Sequence, residues 1–464
     1  MEKFGLEWFV KALKGRVHKK HPPFIVDGIS TDSREISPNE AFIALKGSNF
    51  DGHSFIKDCI QKGVRTFVVS EEFLSNNSTF FDKYDVNVIK VKDTLMALNN
   101  LAEAYRRDFI PNVKVIGITG SSGKTTTKFF LAQLLSHKYK VKFSPKSFNN
   151  NIGVPLALLS VDSDTDIAII EMGMNHKGEI KELSKIATPD VSIITNIGYA
   201  HIGNLKSTRN IALAKAEIIF GMKEKSTLFL NKNSMHNDIF REKALRKNIE
   251  IKYFDVNEAK IIENKGLDGI VFEYDGINFF SQVPGVHNLE NIVCALEVSK
   301  FFGIDISELV SAVKSLSTPE MRTNIYRKKF TLIDDSYNAN PDSMKKAIDL
   351  LDSIKTNGKK IAILGDMLEL GEFSEQLHLE VAKHLLNKDI DYVICYGDEF
   401  SKVHDFLIQS GKDKSKILTA SSLTEIAEII EYILKDGDVV LVKASRAMRL
   451  NEVSDFLKTK LKEQ

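Results

Sequence analysis

Three domains of α/β type are what this sequence predicts, and three observations lead there. The chain has 464 residues, against roughly 150 for a common domain, and a single core stops growing well before that length. Strand-like apolar runs alternate with amphipathic helical stretches almost throughout, a pattern that specifies mainly parallel sheets covered by helices. One glycine-rich turn, at residues 120–123, joins a buried strand to a helix, the junction at which such sheets bind phosphate. The expected fold is a small α/β domain, a central doubly wound domain and a C-terminal Rossmann-like domain.

The elements follow in order. Residues 1–110 contain short apolar runs at 41–45 and 66–69 and end in a helical stretch at 94–107, with Pro111 marking the first boundary. Residues 111–317 open with a strand at 113–119 and continue through strands at 167–170, 191–194 and 227–230. From 250 to 285 the runs shorten around Asp268-Gly269 and Asp275-Gly276, which predicts antiparallel hairpins at an edge. A helix is expected over 289–302 and a hinge at 317–320. Residues 318–464 then repeat strand and helix, with strands at 330–333, 360–364, 392–395 and 438–443. The helix after Asn340 starts on Pro341 and Asp342, good chemistry for a first turn.

Composition narrows the partners. There are 63 Lys and Arg against 62 Asp and Glu, a net charge of +1, so no global field steers the chain to nucleic acid or to an anionic membrane. An anionic ligand must be met by local groups. No stretch approaches the ~18 uninterrupted apolar residues of a membrane span, and a cytoplasmic protein without membrane insertion is expected. Cys59, Cys294 and Cys395 are odd in number and widely separated, which fits reduced core thiols rather than a disulfide framework or a CxxC metal site.

The sharpest signal is Gly120-Ser121-Ser122-Gly123-Lys124-Thr125-Thr126 between the strand and an apolar helix. Glycines allow backbone N–H groups to turn onto phosphate, Lys124 can reach phosphoryl oxygens, and the Thr125 hydroxyl can ligate Mg²⁺. Ile118 stands where the strict Walker pattern wants glycine, so the match is to a shorter G-x-x-G-K-T loop. Two further candidates sit at carboxyl ends of strands, where open α/β sheets hold ligands: Glu171 and His201. A carboxylate suits Mg²⁺ better than an imidazole does. Taken singly, Glu171 also reads as a cap and His201 as a hydrogen-bonding loop histidine.

With these residues in hand the chain resembles the Mur ligases of peptidoglycan synthesis. The resemblance runs through Thr31-Asp32-Ser33-Arg34, the stretch 42–47, Asp51-Gly52-His53, TGSSGKTTT from Thr119, NNNIGVPLALL from Asn149, EMGMNHKGEI from Glu171 and TNIGYAHIG from Thr195. It continues in AKAEI from Ala214, GVHNLENIVCAL from Gly285, DDSYNANPDSM from Asp334, LGDMLELGEFS from Leu364 and KASRAMR from Lys443. Within the family the NANP signature resembles the branch that joins D-alanyl-D-alanine to UDP-N-acetylmuramoyl-tripeptide. The resemblance implies a UDP-sugar-binding first domain, an ATP-binding centre and a C-terminal domain that completes the ATP site.

Residue by residue it implies ATP and Mg²⁺, two ions in all. Gly120, Ser121, Ser122, Gly123, Lys124, Thr125 and Thr126 would hold phosphate, and Thr125, Glu171, His201 and Lys215 the metals. Lys215 matches the family's carbamylated lysine; an ordinary helical lysine paired with an acid is the plain alternative. Asn288 and Asn291 would meet adenine, Arg322 and Asp335 phosphate and ribose. Asn338 and Asn340 belong to the NANP signature, and Asn338 would contact the substrate. Ser33, Arg34, Lys46, Asn150 and Asn151 would hold the UDP-sugar, with a solvated basic pair as the alternative for Arg34 and Lys46. The chain departs from the pattern at Met321 and Ala444, where relatives commonly carry glycine. A monomer is expected. A sister ligase adding another stem amino acid, a folylpolyglutamate synthase, and a nucleotide-dependent switch remain as alternative readings.

Overall fold

The computed structural model describes residues 2–462 apart from 25, 48, 49 and 146. Its first sheet contains β1 (Arg16–Lys19), β2 (Gly28–Ser30), β3 (Glu40–Ile43), β4 (Thr66–Ser70) and β5 (Asn87–Val91) in the order β1-β5-β4-β3-β2, parallel except for β1. Phe42, Phe67 and Phe81 fill one face, and Ile43, Val68 and Ile89 meet the helix Thr94–Asp108 on the other. That helix starts where it does because the Asp93 carboxylate accepts the Met96 amide.

The central sheet contains β6 (Lys114–Thr119), β7 (Val141–Phe143), β8 (Ile167–Glu171), β9 (Val191–Ile194), β10 (Thr227–Asn231) and β11 (Glu250–Phe254), all parallel, in the order β11-β10-β9-β6-β8-β7. Its strands read as unbroken apolar runs because successive residues feed two different cores: Ile167 and Ile169 pack on one face, Ala168 and Ile170 on the other. Chain order reverses around β6, so the ends of β6, β8 and β9 open side by side at a switch point.

The expectation of hairpins over 250–285 holds only in part. β12 (Lys260–Asn264), β13 (Ile270–Tyr274) and β14 (Ile277–Ser281) form a separate antiparallel sheet, with Asp275 at φ +52° and Gly276 at φ +75° in the β13–β14 turn. Residues 250–254, by contrast, are β11 of the parallel sheet. Solvent on one side of this edge strand dilutes its apolar pattern.

The last sheet has β15 (Asn324–Arg327), β16 (Thr331–Asp334), β17 (Lys360–Gly365), β18 (Tyr392–Tyr396), β19 (Ile417–Ala420) and β20 (Val439–Lys443) in the order β15-β16-β20-β17-β18-β19, parallel except for β15. The helix Pro341–Ser353 begins as expected, with Asn340 and Ser343 in a reciprocal capping box. The Ala444 methyl fits because it faces Gly365, whose own missing Cβ would stand 2.9 Å from it. The hinge is unusual: Met321 and Thr323 both adopt φ +57°, flanking Arg322. This left-handed conformation is one that glycine adopts freely, and it is strained for β-branched Thr323.

Candidate active site

The phosphate loop is shaped by close backbone approach. A Cβ on Gly120 would lie 1.8 Å from Thr195 Oγ1, and one on Gly123, at φ +79°, 2.5 Å from Asn291 Oδ1. The Ser121 and Ser122 amides donate to Asn196 O at 3.0 Å and to Asn196 Oδ1 at 2.9 Å, so the segment after β9 braces the loop. Helix Lys124–Leu135 follows at once. Lys124 folds its ammonium back onto Gly120 O at 2.8 Å, and burial lowers its pKa.

Glu171 ends β8 beside the loop and is 1% exposed. Thr125 Oγ1 donates to it at 3.0 Å, Asn149 Nδ2 at 2.9 Å and Lys128 Nζ at 3.0 Å. Burial pushes its carboxyl pKa up, but Lys128, Lys124 and Arg322 outweigh that and hold it below the ordinary range. Lys128 is itself fully buried, and removing one partner of such a pair costs roughly 3–5 kcal/mol. Sequence reasoning missed Lys128 and Asn149. Lys128 could have been found from its i+4 spacing to Lys124, which places both lysines on one face of the helix.

Lys215, at the end of helix Thr208–Lys215, is buried and donates to Gly120 O at 2.9 Å. Among the described residues it makes no ion pair, so the acid-paired alternative lacks its partner. Burial first, and then Lys124, place its pKa well below that of a free lysine. His201 sits nearby at φ +64°. Its Nδ1 lies 2.7 Å from Glu369 Oε2 of the C-terminal domain, a close contact off the hydrogen-bond axis.

The opposite wall brings Asn291 Oδ1 to the Thr127 hydroxyl at 3.1 Å and Asn288 Nδ2 to Pro284 O at 2.8 Å. From the C-terminal domain, Arg322 stacks 4.2 Å from the Tyr337 ring centroid. Asp335 accepts from Lys443 at 2.5 Å and from the Thr323 amide at 3.1 Å. Asn338 O accepts from Lys443 at 3.0 Å, and Asn340 Nδ2 donates to Ser122 Oγ at 3.0 Å. The loop, Glu171, His201, Asn288, Asn291, Arg322, Asp335, Asn338 and Asn340 line one cavity of about 280 Å³.

A second cleft, of about 650 Å³, lies between the first and central domains, and Ser30, Asp32, Phe148 and Asn150 are among its lining residues. Ser33, Arg34, Lys46 and Asn151 lie outside that lining. Arg34 pairs with Asp32 at 2.6 Å and Lys46 with Glu72 at 3.2 Å, both in solvent, and Asn151 is exposed. Asn150 Oδ1 caps the following helix through the Gly153 amide at 2.8 Å.

A lysine-bearing glycine loop at a switch point, closed over by a third domain, defines a phosphate-loop α/β protein with a composite site. The chain belongs to the Mur ligase family. The model of the Mur ligase family catalytic domain matches residues 25–106, that of the Mur ligase middle domain 118–299, and that of the Mur ligase glutamate ligase domain 321–446. The UDP-N-acetylmuramoyl-tripeptide–D-alanyl-D-alanine ligase of Bacillus subtilis (strain 168) is 35% identical over 94% of each chain. The protein of the same name from Treponema pallidum (strain Nichols) is 32% identical over 93% of this chain and 94% of its own. Among solved structures, MurF from Acinetobacter baumannii aligns with a TM-score of 0.85 at 27% identity, covering 100% of both chains. MurF from Thermotoga maritima in complex with ADP aligns at 0.77 and 29% identity, covering 94% of this chain and 98% of its own. Among the described residues, no helix is long and apolar enough to cross a membrane.

Proposed function

We infer that the protein joins D-alanyl-D-alanine to the terminal carboxylate of UDP-N-acetylmuramoyl-tripeptide, cleaving ATP to ADP and phosphate. The observation that carries this reading is the single cavity shared by the phosphate loop, Glu171 and the C-terminal Arg322, Asn338 and Asn340, in a chain whose full-length relatives carry that name. We assign residues 1–110 to the UDP-sugar, 111–317 to ATP and 318–464 to closure over the nucleotide.

A carboxylate is a poor electrophile. Transfer of the γ-phosphoryl group to it makes an acyl phosphate; the dipeptide amine then attacks the carbonyl carbon, and phosphate leaves as the amide forms. The transfer needs in-line placement and charge neutralisation more than a protein nucleophile. Lys124 swings from Gly120 O onto phosphate, Arg322 approaches from the other domain, and closure excludes water from the activated acid. Asn288 and Asn291 hold the base.

The buried Thr125 hydroxyl and Glu171 carboxylate are hard oxygen donors side by side, the donor set Mg²⁺ requires. A second ion would fall to Glu171, His201 and Lys215. When bound, Mg²⁺ neutralises charge on the phosphoryl oxygens. Lys215, its pKa depressed, offers a neutral amine to CO₂; the product is a carbamate oxygen donor and a proton.

ADP release decides the main reading. It rises only when UDP-muramoyl-tripeptide and D-alanyl-D-alanine are both present. Turnover on nucleotide alone would favour a switch, and turnover with a single amino acid a sister ligase.

A further inference from the structure

Glu171 is surrounded by more positive charge than one carboxylate balances. Lys128 Nζ occupies Oε2 at 3.0 Å inside a fully buried pair. Lys124 and Arg322 stand close enough to act on the same carboxylate. Asn149 and Thr125 reach Oε1. Both carboxylate oxygens are therefore engaged with no metal required. A bare divalent cation would have to enter a low-dielectric site already rich in cations and displace a resident ammonium. A nucleotide reverses that balance, because its phosphates bring several negative charges to the loop.

We propose that Lys128 is a resident counter-ion that bars a divalent cation from Glu171 until phosphates occupy the loop, so that the metal enters with the nucleotide and never ahead of it. Lys128 is thus a positioning residue, acting through Glu171. The inference rests on the nucleotide reading of the cavity and is independent of which amine the enzyme accepts.

Mn²⁺ titrated into the nucleotide-free full-length protein, with free Mn²⁺ followed by electron paramagnetic resonance, tests this without any turnover. Wild type shows no tight site, and added ADP creates one. K128Q keeps a hydrogen-bond donor but no charge, and it binds Mn²⁺ without ADP at least about tenfold more tightly than wild type. The gain disappears in the K128Q/E171Q double variant. Equal Mn²⁺ affinity in K128Q and wild type, or a gain that survives E171Q, overturns the proposal. Should K128Q not fold, wild type alone decides: Mn²⁺ bound as tightly without ADP as with it also overturns it. Failure of the nucleotide reading would appear separately, as no ADP binding by wild type in a metal-free titration.

Discussion

At Lys215 burial bears directly on the proposed carbamate. An ammonium with one carbonyl partner and no carboxylate is poorly stabilised in the interior, so burial lowers the Lys215 pKa, the direction that the proposed carbamate requires. Lys215→Ala should lower ligase activity at least roughly a hundredfold, and formate or acetate should restore part of it by supplying the missing oxygen donor. Full activity in the untreated variant would remove the carbamate. Lys124 and Thr125 are legible in the sequence because the loop is contiguous and its spacing is fixed by backbone geometry. Lys128 is legible only as an i+4 neighbour of Lys124: its partner Glu171 lies 43 residues away, so its role as a buried counter-ion does not show in the sequence.

At the scale of elements, the loop 365–373 depends on one imidazole. His378 Nε2 accepts the Met367 amide at 2.9 Å while Nδ1 lies 2.8 Å from Ser374 O, so the ring must be neutral with its proton on Nδ1. Burial keeps its pKa below the ordinary 6.5 against the opposing pull of Ser374 O. As pH falls below 6.5 the unfolded chain takes up the proton first, so the loop's stability is complete above that value and declines beneath it. Hydrogen exchange at the Met367 amide, corrected for intrinsic rate, should accelerate as pH falls below about 6.5, and H378Q should remove this dependence. The hinge carries a second test. Asn accepts the left-handed region more readily than a β-branched residue, so Thr323→Asn should stabilise the protein by about 1 kcal/mol in calorimetry; a lower melting temperature would show that Thr323 is not strained. Doubly covered strands such as β8 and β17 are plain in the sequence as apolar runs. β2 and β11, half-exposed at sheet edges, carry little such signal.

At the scale of the molecule, the site exists only because the C-terminal domain is seated on the central one. One loop makes much of that contact: Glu369 meets His201, the Gly203 amide donates to Glu369 O at 3.0 Å, and Lys206 pairs with Glu372 at 3.0 Å. Nothing in the sequence marks this docking, because the faces come from segments roughly 170 residues apart and neither is apolar enough to show as a patch. Its steric signature is a pair of glycines. A Cβ on Gly198 would lie 2.1 Å from Asp342 Oδ2, and one on Gly203 would lie 2.6 Å from Gly371 N and 2.7 Å from Glu369 O. At Gly203 the obstacle is backbone on the other domain, which cannot turn aside as a side chain can. Alanine suits the short helix Ile202–Leu205 that carries Gly203, so G203A should spare the central domain's own fold while holding the C-terminal domain away. Small-angle scattering should show a larger radius of gyration than wild type. The kcat should drop at least roughly tenfold, because Arg322 no longer reaches the loop in register. A scattering curve and kcat both equal to wild type would mean that the seated arrangement is not the one in which the acid is activated.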